Sequence, residues 1–344
     1  MTKEDLKYFQ SMPLDIKVAM TKTRIREWVT HFGESGTYIS FSGGKDSTAL
    51  LYLVRELYPD IPAVFVNTGL EYPEVQSFAK SFDNVTVLTP KLPFTEVIKQ
   101  YGYPFISKEV SQTIYEAYNY DAETGKYQYR MDKMNSQGRY EGKYGCLKYK
   151  PLLYTNFKLS HKCCNIMKKN PAKTYERHTD RVPFIGTLAE ESALRTTSWL
   201  KNGCNAFETK RKTSQPMSFW TENDVLQYLK QNNIKIASVY GDIVEYNADN
   251  QLSMLEADEN TKLCTTGCDR TGCIFCGFGA HMDKYSRFLR LKETHPKQYA
   301  YCMGGGEYDI DGIWKPNKNG LGMAHVIDEL NKLYSKNGKA FIEY

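Results

Sequence analysis

Apolar positions change their period several times along the chain, and each change marks an element. Residues 1–36 are polar, with Leu14, Ile16, Val18, Ile25 and Val29 as scattered apolar anchors, and they predict helix. Tyr38-Ile39-Ser40-Phe41 is a short β-type run. Beyond it, Leu50, Leu53, Val54 and Leu57 recur at i, i+3, i+4 and i+7, the spacing of one helical face. Pro59 and Pro62 stop that helix. Ala63-Val64-Phe65-Val66 is continuously apolar, as in a strand buried on both faces of a parallel sheet. A helix around Tyr72–Phe82 and a strand at Val85–Leu88 follow. Strand and helix alternating in this way predict an α/β fold with a doubly wound, mainly parallel sheet.

Sheet-like signal returns at Pro183-Phe184-Ile185-Gly186. A helix start is written at Phe219–Asp224. Thr221 and Asp224 there form a pair like a capping box, and Val225, Leu226 and Leu229 supply the apolar face. Residues 260–282 are rich in Cys and Gly. The tail from 283 reads as helical, then turn-rich through Gly304-Gly305-Gly306, then helical over Ala324–Tyr334. No internal repeat is present. The expected division is an N-terminal helical segment (1–36), a nucleotide-binding α/β domain (37–240), and a Cys-rich, mostly helical C-terminal region (241–344).

One stretch breaks the pattern. Residues 118–150 hold seven Tyr, four Gly and seven Lys or Arg, with almost no aliphatic side chains. It reads as an inserted loop. It is either a solvated excursion or a basic, aromatic lid over an anionic or nucleic-acid substrate, because Tyr rings stack on bases and Lys and Arg pair with phosphates.

Composition narrows the class. Across 344 residues, 41% are apolar and 25% charged, which excludes collagen-like and wholly disordered chains. No run approaches the roughly 18 apolar residues of a spanning helix, so no membrane partner is expected. The start, MTKEDLKYFQ, has no apolar signal region, which predicts a cytoplasmic location. A net charge of +5 is only a mild pull towards anions. Nine cysteines in such a chain point to thiols rather than disulfides.

Ser42-Gly43-Gly44-Lys45-Asp46-Ser47-Thr48 joins the first strand to the following helix. The glycines allow backbone angles that a Cβ forbids. N–H groups, with Ser42 and Ser47, can then face a phosphate at the positive end of the helix. Lys45 adds a full charge, and Asp46 can orient a donor or a Mg²⁺ ion. The pattern matches neither GxxxxGK[ST] nor GxGxxG.

These residues resemble the PP-loop of ATP pyrophosphatases, and further motifs resemble the phosphoadenosine phosphosulfate reductase family. Asn67-Thr68-Gly69-Leu70-Glu71-Tyr72-Pro73-Glu74 is similar to the family's Asp-Thr-Gly segment after the second strand. Cys163-Cys164 with Lys168, Lys169 and Pro171 is similar to its Cys-Cys segment. Gly186-Thr187, Glu191-Ser192 and Arg195 resemble its Glu-Ser-(x)2-Arg loop, and Pro216–Val225 its Trp-Thr helix start. The resemblance covers about residues 35–280. It implies an adenine nucleotide alpha-hydrolase-like (HUP-type) fold. It also implies an adenine-nucleotide site on Ser42, Gly43, Gly44, Lys45, Asp46, Ser47, Thr48, Asn67, Thr68 and Gly69, with Lys45, Asp46 and Arg195 as catalytic candidates. Asn67 departs from the usual Asp.

Cys273-Ile274-Phe275-Cys276 brings two thiolates to one small centre, and a second Cys pair can complete four ligands for an iron–sulfur cluster or for zinc. The resemblance implies a [4Fe–4S] cluster on Cys163, Cys164, Cys273 and Cys276. Adjacent cysteines diverge, so Cys264 or Cys268 can replace one of them. Cys204 and Cys302 read as bystanders, and Cys146 as a candidate mobile sulfur carrier. Arg270 and Gly272 precede the CxxC and His281 follows it. Arg270 reads as a solvated residue or a neutraliser of cluster or nucleotide charge, Gly272 as a turn, and His281 as a neighbour of the cluster.

Family reductases carry a nucleophilic Cys in a Glu-Cys-Gly-Leu-His tail, and this sequence has no Cys near residue 344. The expected function is therefore a PP-loop enzyme that binds ATP, forms AMP and pyrophosphate, and transfers sulfur to a nucleic-acid or small-molecule acceptor. A sulfur donor such as a cysteine desulfurase and a homodimer are the expected partners. The alternatives are a sulfonucleotide reductase with a non-standard nucleophile, and a non-catalytic nucleotide-binding regulatory or DNA-associated protein.

Overall fold

The computed structural model describes residues 1–120, 123, 146–246 and 262–344. Most of the Tyr-rich insertion, and with it the lid reading, lies outside the described residues.

The chain divides into two compact units. One comprises Met1–Thr89 with Pro171–Gly272, the other Pro90–Asn170 with Cys273–Tyr344. Each is assembled from two separate stretches, so neither follows the sequence-based boundaries after residues 36 and 240. Linear periodicity marks elements but carries no sign of which stretches later close on one another.

The first unit is built on a six-stranded sheet of β1 (Thr37–Phe41), β2 (Ala63–Val66), β3 (Val85–Leu88), β4 (Val182–Ile185), β5 (Asn205–Ala206) and β6 (Thr213–Ser214). The order across it is β3-β2-β1-β4-β6-β5. All neighbours are parallel except the edge pair β5–β6. Ile39 of β1 stands between Ala63 of β2 and Phe184 of β4, and all three are buried. The fold is thus the expected α/β arrangement with a mainly parallel sheet and flanking helices. Strand order reverses between β1 and β4. In open α/β sheets the crevice beyond the strand C-termini at such a switch point is where ligands bind.

Helices cover the sheet for reasons written in their spacing. The helix α1 spans Lys3–Gln10, α2 Leu14–Phe32 and α3 Lys45–Leu57. In α2 the buried positions are Lys17, Thr21, Ile25, Trp28 and Val29, one continuous stripe. Gly33 ends the helix at φ +73°, a conformation glycine adopts without strain. Of the predicted α3 face, Leu50, Leu53 and Val54 are fully enclosed and Leu57 is half-buried.

Lys17 is the exception on its stripe. Its side chain is 2% exposed, and its Nζ donates to Asp224 Oδ2 and to the Gln10 carbonyl, both at 2.7 Å. Asp224 also accepts from Thr221 N and Oγ1, so the predicted capping pair is real and is tied into a buried ion pair. Removing one member strands a buried charge, which costs about 3–5 kcal/mol. Lys17→Met is expected to lower the urea midpoint accordingly, and a midpoint unchanged within error would contradict the pairing.

The second unit carries helices at Phe94–Tyr101, Lys108–Tyr118, Arg287–Thr294, Pro296–Met303 and Met323–Tyr334. Phe105–Ile106 pairs in parallel with Gly277–Phe278. Among the described residues, no helix is long and apolar enough to cross a membrane.

Candidate functional site

The loop after β1 has the geometry its residues demand. Gly43 sits at φ +71°, and a Cβ there would come within 2.9 Å of Val75 Cγ1 and 3.2 Å of Ala79 Cβ. Gly186, at the end of β4, lies so close to the start of α3 that a Cβ would meet the Asp46 carbonyl oxygen at 3.0 Å. Small residues therefore let two strand ends and a helix start converge. Ser47 Oγ accepts from Ser42 N at 3.2 Å, lies 3.0 Å from Ser42 Oγ, and donates to the Gly44 carbonyl at 2.9 Å. Thr48 Oγ1 donates to the same carbonyl. These bonds hold the loop in a fixed shape before any ligand arrives. Tyr240 braces it from outside: its hydroxyl accepts from Lys45 N at 3.2 Å and lies 2.6 Å from Thr271 Oγ1.

Beyond the loop is a cavity of about 300 Å³ lined by Lys45, Asp46, Leu188, Glu190, Glu191, Glu222 and Arg270. Lys45 is 4% exposed. Its Nζ stands 2.9 Å from Glu222 Oε1, 3.0 Å from the Asp269 carbonyl and 3.8 Å from Asp46 Oδ1. Burial alone would push the lysine pKa down; Asp46 and Glu222 outweigh it and hold the pKa above its ordinary value. Asp46 is pushed the other way: burial raises its pKa, against the pull of Lys45 and Arg270. Its Oδ1 is buried without a hydrogen-bond partner. Burial raises Glu190 as well. Arg270 and Arg195 both pair with Glu191. Arg195 reaches the site through that carboxylate and is not itself a wall of the cavity.

Asn67, Thr68 and Gly69 follow β2, the strand beside β1. Asn67 Oδ1 accepts from Gly69 N at 3.1 Å, a local turn. Thr68 is committed to Glu71, whose carboxylate accepts from its N–H and its hydroxyl. Gly69, at φ +74°, has open space where a Cβ would stand.

Sequence reasoning missed Glu190, Glu222 and Tyr240. Glu222 lies inside the Thr221–Asp224 capping motif and Glu190 beside Glu191, so both were adjacent to recognised patterns. Tyr240 lies 195 residues from the lysine whose amide it holds, and no local signal marks it.

The four cysteines singled out above belong together in the second unit, whereas Cys264 and Cys268 belong to the first. No disulfide links any of the nine. Cys163 and Cys164 lead into Asn165–Lys169, a π-helical turn of the kind frequent at functional sites. Cys276 N donates to the Cys273 carbonyl at 3.0 Å, a turn that closes the CxxC. Cys163 donates towards Cys164, which raises the Cys163 pKa, with burial and the nearby Cys276 and Cys273 adding to it. The same bond, helped by Lys108 and Lys168, lowers the pKa of Cys164. Arg287 Nη1 donates to the carbonyls of Cys276 and Phe278. Thus Cys163 feels the other three thiols, and Lys108, Lys168 and Arg287 make the surroundings basic. Among the described residues, no group of three or more His, Cys, Asp or Glu side chains is drawn in as a metal site. Burial pushes Cys302 up, and Cys146 is buried.

A profile of the phosphoadenosine phosphosulfate reductase domain matches residues 36–105 and 94–277. An uncharacterised protein of Methanocaldococcus jannaschii is 23% identical over 273 residues, covering 76% of this chain. The chain spans 45% of that relative's length. The crystal structure of a phosphoadenylyl-sulfate reductase from Candida auris, a phosphate complex, aligns with 69% of this chain and 90% of its own, at 12% identity and a TM-score of 0.36.

Proposed function

The chain belongs to the phosphoadenosine phosphosulfate reductase domain family, and from that premise we propose a PP-loop enzyme that binds ATP with a divalent cation at Ser42–Thr48. It splits ATP into AMP and pyrophosphate and uses the activation to transfer sulfur to a nucleic-acid or small-molecule acceptor. The observation that supports ATP over a metal-free sulfonucleotide is the lining of the cavity. Lys45 and Arg270 face four carboxylates, Asp46, Glu190, Glu191 and Glu222. A bare anion gains little from such a wall, whereas a polyphosphate that carries Mg²⁺ brings the charge those carboxylates want.

In this reading Lys45 and the loop N–H groups stabilise charge that builds on the phosphates, which is positioning plus electrostatics. Asp46 offers the cation its Oδ1, which is buried without a hydrogen-bond partner. Tyr240 holds the helix start in register, and Arg195 acts on Glu191. Thiolate ligands suit iron or zinc, and Cys163, Cys164, Cys273 and Cys276 are the residues that would hold a [4Fe–4S] cluster. Such a cluster would supply the iron–sulfur chemistry of the sulfur-delivery step. Lys108, Lys168 and Arg287 provide the positive surroundings that four thiolates need.

The reactions separate by their products. Anaerobically purified protein, ATP and Mg²⁺, assayed with candidate acceptors, are expected to give AMP and pyrophosphate in equal amounts. Sulfite released from a sulfonucleotide, with no pyrophosphate from ATP, would instead establish the reductase.

A further inference from the structure

We infer that Glu222 is an internal stand-in for phosphate: it occupies Lys45 until a metal-bound polyphosphate displaces it, and so sets which anions the loop accepts. The inference deepens the ATP reading and rests on it for the natural ligand. Three observations carry it. Lys45 is already engaged on the cavity wall, because its enclosed Nζ is shared between the Glu222 carboxylate, the Asp269 carbonyl and, farther off, Asp46. Glu222 is differently placed. Its side chain is 50% exposed, while its backbone is fixed at the first position of the helix Glu222–Gln231. Thr221 caps that helix, and the Glu222 N–H donates to Glu190 Oε1 at 2.6 Å. A rotamer change is therefore enough to clear the lysine, with no backbone movement. Finally, the remaining cations repeat the pattern, since Arg270 and Arg195 are both engaged by Glu191.

An incoming phosphate oxygen must take the place that Glu222 Oε1 holds. Without a cation, the freed carboxylate is left beside both the new anion and Asp46, Glu190 and Glu191, and like charges at such range repel. With a cation on the phosphates, the freed carboxylate has a positive partner. The carboxylate thus penalises bare anions and tolerates metal-bound ones, which is specificity through a repulsive element.

The test is calorimetric titration of the full-length, anaerobically purified protein with ATP and with inorganic pyrophosphate, each in Mg²⁺ and in EDTA. Glu222→Gln keeps size and removes charge. It is expected to tighten metal-free pyrophosphate and ATP binding by roughly tenfold, with a much smaller change in Mg²⁺, so the Mg²⁺-to-EDTA affinity ratio falls by about the same factor. Glu222→Ala should move both in the same direction, and circular dichroism checks that each variant is folded. Metal-free pyrophosphate affinity unchanged in both folded variants would overturn the role given to Glu222. Wild-type protein that fails to bind ATP in Mg²⁺ would overturn the ATP reading instead, and the pyrophosphate titrations would still decide Glu222.

Discussion

Lys45→Met should weaken MgATP binding by roughly a hundredfold in equilibrium dialysis. Lys45 is the one loop side chain that brings a full positive charge to the phosphates. Hydrogen bonds to charged groups are worth about 1.5–3 kcal/mol each, and about 2.8 kcal/mol corresponds to a hundredfold. Methionine keeps most of the aliphatic stem, so the enclosed space around it stays filled. The substitution also leaves Glu222 and Asp46 without their cation. Some loss of stability is therefore expected alongside the loss of binding, and a thermal melt separates the two. Binding within threefold of wild type in a folded variant would place the phosphates elsewhere.

The second large effect concerns the cysteines. Protein purified without oxygen is expected to hold about four iron and four labile sulfide per chain, with the broad visible absorption of a cubane cluster. Cys276→Ser and Cys163→Ser should each lose most of that iron. Cys302→Ser should not, because Cys302 is buried against Met323. Stoichiometric zinc without labile sulfide would replace the cluster by a structural metal. Iron retained in both Cys163→Ser and Cys276→Ser would overturn the ligand set.

Much of the first unit was legible because its signals are local. β1, the glycine loop and α3 follow one another within residues 37–57, and each announces itself by period or by composition. The same holds for β2, β3 and the cap at Thr221. The capping pair was read correctly, but its link to Lys17 was not, since that ion pair joins residues 207 positions apart. The cavity wall was half legible for the same reason. Lys45 and Asp46 sit in the motif, whereas Glu190 and Glu222 become walls only when the chain segments after β4 and before the Glu222 helix fold back to the loop. The division into units was not legible. The chain leaves the first unit after Thr89, returns at Pro171 and leaves again after Gly272. Gly272 and Cys273 are neighbours in sequence on opposite sides of that division. The π-helical turn after Cys163-Cys164 was equally hidden, because five residues are too few to show a period.

Under the proposed function the motifs mark a nucleotide site, but which anion it would take depends on charged residues between the motifs. Here those residues are acidic, and in the proposed reading their balance against Lys45 and Arg270 favours a cation-bound polyphosphate over a bare sulfonucleotide.

The most direct measurement is a crystal structure of the anaerobically purified protein with a non-hydrolysable ATP analogue and Mg²⁺. The phosphates are predicted to lie against Ser42–Ser47 within hydrogen-bonding distance of Lys45 Nζ. Glu222 should have turned away from that amine, and Mg²⁺ should be held by Asp46. Phosphates bound away from the loop, or Lys45 still paired with Glu222 beneath a bound nucleotide, would contradict the assignment of this site.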